Sequence, residues 1–229
     1  MISYRRSRSI LDNLKIKIEN ETIKTDKCLN RVAAIDIKST TNNPSGNNSA
    51  FDGYAIKSED TRYLSKKKSK LFKIVGIIAA GDKPIKKKIK KFETVEIMTG
   101  GLVPKSFNTI IPIEKIVFFP NKKNSKFIKI DQKIKRYQHI RFKGSDYKKN
   151  DLLFKKGTIL QPHHILALKT LGIKYVKVKK IPNIVFFSTG NEISNKEKIP
   201  EWKVRNSNSY YIQSLKKNFL FNFIDGGIL

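Results

Sequence analysis

Between Gly53 and Ile134 the chain runs through short apolar-rich segments, "DGYAI", "LFKIVGIIAAG", "TVEIMTGG", "NTIIPIEKIVFF" and "KFIKIDQKI", punctuated by Gly, Pro and Asn. Alternating apolar and polar residues turn successive side chains to opposite faces, so the stretch reads as a small β-rich module. The turn-rich run Asn42 to Gly53 before it marks a candidate domain boundary.

The flanking segments follow a different period. From Arg8 to Ile18, the residues Ile10, Leu11, Leu14 and Ile18 fall at three- and four-residue spacings, which predicts a helix. "ETIKTDKCLNRVAAIDI" predicts a strand around Ile23 and a short helix near Leu29 to Ala34. "QPHHILALKTLG" predicts a helix with Pro162 at its first position, an apolar face of Ile165, Leu168 and Leu171, and a stop at Gly172. His163 and His164 are neighbours and so point about 100° apart on a helix. They cannot share one metal ion and read as ordinary helix-start residues.

The last fifty residues change character. "NIVFFSTG" is a continuous apolar run, the pattern of a parallel strand buried on both faces. "NSNSYYIQSLKKNFL" reads as a helix capped by Ser207 or Asn208, and "FNFIDGGIL" as a second strand. A β-α-β unit of this size leaves apolar faces and edges open, so either something else covers it or it belongs to a longer chain.

Composition bounds the function. A length of 229 residues allows one large domain or two small ones, since single cores stop growing at roughly 250 to 300 residues. The formal charge of +29 invites a polyanion partner. Its distribution points away from nucleic acid, because lysines gather in runs such as Lys66–Lys68, Lys86–Lys88 and Lys122–Lys123 while arginines, the better base readers, are few. Drift at tolerant surface sites accounts for the lysines, and a small anionic substrate is compatible with them. The single cysteine, Cys28, rules out an internal disulfide or a cysteine cluster and reads as a buried small hydrophobe. Basic residues at the amino terminus are followed by no apolar stretch, and no window approaches the ~20 apolar residues of a membrane helix. The expectation is a soluble, cytoplasmic protein with no membrane partner.

Four segments share a composition of small or hydroxyl residues, glycine, and one acid or hydroxyl. They are "NNSAFDGYA" with Asp52, "EIMTGGLVP" with Thr99, "RFKGSDY" with Asp146 and "FSTGNEI" with Glu192. The Thr189-Gly190 turn is the most suggestive, because doubly wound sheets bind ligands beyond the carboxyl ends of their strands. Three carboxylates converging around such a turn would suit a Mg²⁺ ion bridging phosphates.

In order, these segments resemble the molybdopterin molybdenumtransferases of the MoeA and gephyrin E-domain type. The family's "SAMDGYA" is similar to "SAFDGYA" at Ser49 to Ala55, and its "IMTGAPVP" to "IMTGGLVP" at Ile97 to Pro104. "GSDYKKNDLLFKKGTILQP" from Gly144, "LKTLGIKYVKV" from Leu168, "STGNEI" from Ser188 and "VRNSN" from Val204 follow the family pattern as well. Three positions depart from it, each losing one negative charge: Ser145, Asn191 and Asn206 stand where the family carries an acid.

The resemblance implies an α/β multi-domain protein, α+β overall. Its first, helical domain would comprise residues 1–45 and 136–180, and a β-rich domain would be inserted at 46–135. The start of a Rossmann-like α/β third domain, incomplete at Leu229, would occupy 181–229. It further implies an enzyme of molybdenum cofactor biosynthesis, a homodimer that inserts molybdenum from molybdate into adenylylated molybdopterin and releases AMP. Asp52, Thr99, Asp146 and Glu192 would be catalytic, with Asp52, Asp146 and Glu192 holding Mg²⁺. Ser188, Thr189, Gly190, Ser207, Asn208 and Gly100 would bind substrate, Thr99 and backbone amides taking the oxyanions. The missing loops of the third domain would come from a separately encoded C-terminal half. The alternatives are a non-catalytic remnant or dimerisation module of the same family and, on charge alone, a basic nucleic-acid binder.

Overall fold

The computed structural model describes residues 2–229 except Pro84, Lys86, Lys87 and Lys217. Lys86 and Lys87 of the Lys86–Lys88 run, and Lys217 of the last predicted helix, thus lie outside the described residues. The chain divides into two compact units, Ser39–Asp151 and the combination of Met1–Lys38 with Leu152–Leu229.

Ser39–Asp151 is built on a six-stranded sheet. In spatial order its strands are Thr109–Pro112, Gly53–Ile56, Glu93–Ile97, Lys70–Ile78, Phe127–Ile130 and Val117–Phe119. Neighbours run antiparallel except Glu93–Ile97 and Lys70–Ile78, which are parallel. The period-two pattern of these segments makes two cores, one on each face of the sheet. Tyr54, Ile56, Ile111, Ile128 and Ile130 fill one, while Ala55, Val95, Ile97 and Ile110 fill the other. Lys70–Ile78 serves both through a change of parity. Phe72 and Ile74 pack with Tyr54, an extra residue enters the register between Ile74 and Ile77, and Ile78 turns to the opposite core.

Gly53 is dictated by strand contact. A Cβ there would lie 2.0 Å from the Ile111 carbonyl oxygen, so only glycine lets these strands pair at that point.

In the other unit, Asn20–Lys24 pairs antiparallel with Tyr175–Lys179, as the strand expected around Ile23 requires. Helix Pro162–Thr170 starts and stops where the sequence predicts, with Gln161 and His164 forming a capping box at its start and Gly172 at φ +69° after its end. Its Leu168 joins Cys28, Ala33, Ile37, Leu160, Val176 and Val178 in one core.

Two predicted helices differ. The first spans Tyr4–Asp12 rather than Arg8 to Ile18, and none of its residues is buried. Its bounds are set by caps: Ser3 Oγ accepts from the Arg6 N–H at 3.3 Å, and Asn13 closes the last turn, so Ile16 and Ile18 fall beyond it. Leu29 to Ala34 is not helical; a 3₁₀ turn at Thr25–Lys27 precedes it, and the N–H groups of Ala33 and Ala34 donate to the Thr158 and Lys177 carbonyls at 2.9 Å each. Cross-chain pairing takes the donors a helix would use.

Asn183–Ser188 and Asn222–Ile228 pair in parallel, and helix Asn208–Leu215 lies between them in sequence, which is the expected β-α-β connection. The expected burial on both faces is not met, since Val185 is 48% and Phe187 47% exposed. A two-stranded sheet with one short crossover helix lacks the second layer that would cover them. Among the described residues no helix is long and apolar enough to cross a membrane.

Candidate functional site

Asp52 occupies the bend between the short strand Asn48–Ser49 and Gly53–Ile56. Ser49 shapes that bend by donating its hydroxyl to the Phe51 carbonyl at 2.5 Å. Its own N–H donates to the Gly101 carbonyl, and its carbonyl accepts from the Gly100 N–H, both at 2.9 Å. The "SAFDG" and "MTGG" turns are therefore stitched together through the main chain. The carboxylate completes the join: Asp52 Oδ1 accepts from the Thr99 N–H at 2.6 Å and from Thr99 Oγ1 at 2.7 Å. The Thr99 N–H first, and its hydroxyl second, hold the Asp52 carboxyl below the usual carboxylate range. Asp52 Oδ2 has no hydrogen-bond partner among the described residues.

This second turn is not an anion-binding nest. The Thr99 N–H goes to Asp52, the Gly100 N–H to Ser49 and the Gly101 N–H to the Met98 carbonyl at 2.8 Å. Gly100 and its neighbouring amides are thus engaged within the fold.

Asp146 follows the strand Ile140–Arg141, which pairs with Asn48–Ser49. Its carboxylate forms an ion pair with Arg141 and accepts from Asn43 Nδ2 at 3.1 Å and Ser145 Oγ at 3.3 Å. The motifs did not single out Arg141. Its signal was an arginine five positions before the acid in a chain that otherwise favours lysine, the guanidinium being the better geometric match to a carboxylate. Asp52 and Asp146 share a unit but no hydrogen-bond partner.

The remaining expected residues belong to the other unit. Ser188, buried at the end of its strand, donates its hydroxyl to Asn206 Oδ1 at 2.9 Å, and the same oxygen accepts from the Ser209 N–H at 3.4 Å. Asn206 therefore caps helix Asn208–Leu215. Ser207 occupies the cap position without a side-chain bond, and Asn208 is the first helical residue. Asn206 Nδ2 is buried with no partner among the described residues, and Asn206 borders a cleft of about 420 Å³ with Lys196, Glu197, Arg205 and Ser207. A buried donor without an acceptor at a helix start suits an anionic group. Thr189 is exposed, and its N–H has no partner among the described residues. Gly190 adopts φ +139°, and the Glu192 carboxylate folds back until Oε1 lies 2.5 Å from where a Gly190 Cβ would be.

Among the described residues no three His, Cys, Asp or Glu side chains are grouped as a metal cage would require. The three acids expected for Mg²⁺ are divided, Asp52 and Asp146 in one unit and Glu192 in the other. Mg²⁺ held mainly by substrate phosphates and water needs only one or two protein carboxylates. Asp52, through Oδ2, presents one open carboxylate oxygen in its unit and Glu192 a carboxylate in the other, whereas Asp146 is engaged by Arg141.

Glycine turns that each present a single carboxylate, set at the ends of short strands, belong to a mixed α/β, strand-rich fold. The chain belongs to the family described as the MoeA N-terminal region (domain I and II), whose profile matches residues 2–172. It is 29% identical over 205 residues to the molybdopterin molybdenumtransferase of Staphylococcus epidermidis, covering 89% of this chain and 48% of that protein. It is 34% identical over 205 residues to a putative molybdopterin biosynthesis protein of Methanocaldococcus jannaschii, covering 86% of this chain and 48% of that one. A crystal structure of the molybdopterin biosynthesis moeA protein from Pyrococcus horikoshii OT3 superposes with a TM-score of 0.83 at 29% identity, over 100% of this chain and 60% of that one. The chain spans about half the length of the curated relatives it matches.

Proposed function

We propose that the chain serves molybdenum cofactor biosynthesis, in the insertion of molybdate into adenylylated molybdopterin with release of AMP. Family membership and the relatives' names support this reading, and one observation carries it: the lock of Asp52 onto Thr99, which joins the two family motifs and leaves one carboxylate oxygen open. A carboxyl held below its usual range is ionised at neutral pH, so Asp52 Oδ2 is a fixed acceptor for a water or hydroxyl proton. Thr99 orients it. In the other unit, Asn206 Nδ2, the Thr189 N–H and Arg205 offer donors for phosphate oxygens. Mg²⁺, when bound, would reduce the charge on those phosphates, with Glu192 of the same unit as a protein ligand.

The reading includes assembly. Val185, Phe187 and Ile224 are 46 to 48% exposed on one face of the parallel strands, an apolar surface that a homodimer partner or a separately encoded α/β half would cover.

The test is to mix the purified chain with adenylylated molybdopterin, molybdate and Mg²⁺ and follow AMP by chromatography. Molybdate-dependent AMP release, abolished by Asp52→Ala, is expected. A folded chain that releases none, alone or with a relative's carboxyl-terminal half, would sink the enzymatic reading and leave the non-catalytic module.

A further inference from the structure

We infer that a cleft within Ser39–Asp151, lined by neither Asp52 nor Thr99, binds a small aromatic phosphate of the mononucleotide class. The cleft measures about 780 Å³, inside the ~300 to 1,000 Å³ typical of small-molecule sites. Its floor is apolar: Val103 and Phe107 are 8% and 5% exposed, and Leu102 lies beside them. Its rim is cationic, formed by Lys105, Arg136 and Lys143, and no Asp or Glu is among the described lining residues.

The rim charges are largely unopposed. Neither Lys105 nor Lys143 is within ion-pair distance of a carboxylate among the described residues. Arg136 has Glu59 at 3.9 Å, but both side chains are more than half exposed, and an ion pair so long and so hydrated is weak.

Tyr137 sets the class of ligand. Its φ is +66°, a conformation that non-glycine residues rarely adopt. Three contacts hold it there: its N–H donates to the Asn108 carbonyl at 2.8 Å, its ring meets Phe142 edge-on at 5.5 Å, and the Arg136 guanidinium sits 4.6 Å from the ring centre. The cleft thus carries a preformed pair of aromatic ring and guanidinium at its rim. A planar base can stack on such a pair while the cations take its phosphate. Inorganic phosphate would use the rim and leave the apolar floor wet, and an uncharged ring would use the floor and leave the lysines idle. Only a ligand with both parts matches both.

Amide NMR of the full chain, titrated separately with AMP, adenosine and inorganic phosphate, tests this. AMP should shift the Ser106, Asn108 and Tyr137 amides saturably, with adenosine and phosphate each binding about tenfold more weakly or worse. The double variant Lys105→Ala, Lys143→Ala removes two exposed side chains. It should weaken AMP binding by about tenfold or more while resonances elsewhere stay in place. Thr189 and Asn206 amides report the other candidate region independently. AMP shifts confined to those residues would overturn the cleft site without touching the proposed function, and phosphate binding equal to AMP would overturn the aromatic assignment.

Discussion

Asp52 and Thr99 are joined twice through one oxygen, Oδ1, by donors at 2.6 and 2.7 Å. The bonds favour the charged carboxylate, so the Asp52 pKa is lowered on folding, by the Thr99 N–H first and the Thr99 hydroxyl second. A lowered folded-state pKa means that the contribution to stability is full above the unfolded value, ~3.9, and is lost as pH falls through the folded value. Urea unfolding of the wild type and Asp52→Ala should therefore differ at neutral pH and converge in acid. A gap that persisted at the acid end would show that the carboxylate's charge is not what Thr99 holds.

Thr99→Val keeps the backbone donor and removes the hydroxyl. The Asp52 carboxyl resonance should then titrate at a higher pH than in the wild type, yet still below an unperturbed aspartate. An unchanged titration midpoint would remove the hydroxyl from the account.

Gly53→Ala forces a Cβ to within 2.0 Å of a backbone carbonyl. Because a strand rather than a flexible side chain must move, the cost should be about 3 kcal/mol or more, at the upper end for overpacking. The urea midpoint reads this directly, and a shift worth less than about 1 kcal/mol would mean the strands part easily.

Arg141→Ala breaks an ion pair whose members are 55% and 32% exposed. Stability should fall by no more than about 1 kcal/mol. On the family reading, in which Asp146 is catalytic, AMP release should fall far more, because Asp146 loses the group that fixes its direction. Arg141→Lys should restore little, since an ammonium lacks the guanidinium fork; full rescue by lysine would reduce the pair to simple charge.

Asn206→Ala removes the acceptor for both the buried Ser188 hydroxyl and the Ser209 N–H. Leaving a buried donor unpaired costs about 1 to 3 kcal/mol. Hydrogen exchange should show it as faster exchange of Ser209 at the helix start, with the six-stranded sheet of the other unit unchanged.

Much of this architecture was legible because local signals and tertiary needs agree. "DGYAI" carries an unbroken apolar run, and Tyr54 and Ala55 go to opposite cores of a strand buried on both faces. Pro162 and Gly172 bracket a helix that forms between them. Legibility stopped where partners far along the chain decide. Ala33 and Ala34 give their N–H groups to Thr158 and Lys177, which no local period reveals. Val185 and Phe187 have the composition of a doubly covered strand, but covering depends on layers that composition cannot count. In the candidate site, the turns carried recognisable residues while Arg141 did not stand out and Asn206 showed only as a departure from the family's acid. Their roles come from what they touch, an acid five positions away and a serine 18 positions away.

The extra residue between Ile74 and Ile77 gives its strand something like a reading frame. Downstream of it, the Ile78 carbonyl accepts the Met98 N–H at 2.9 Å, and Met98 immediately precedes Thr99. The loop bearing Thr99 thus hangs from a position fixed by the count of residues rather than by their kind. Substitutions near Val75 and Gly76 should be borne more easily than a one-residue deletion, which would turn Ile78 out of its core and shift the hook on which the Asp52 partner is hung.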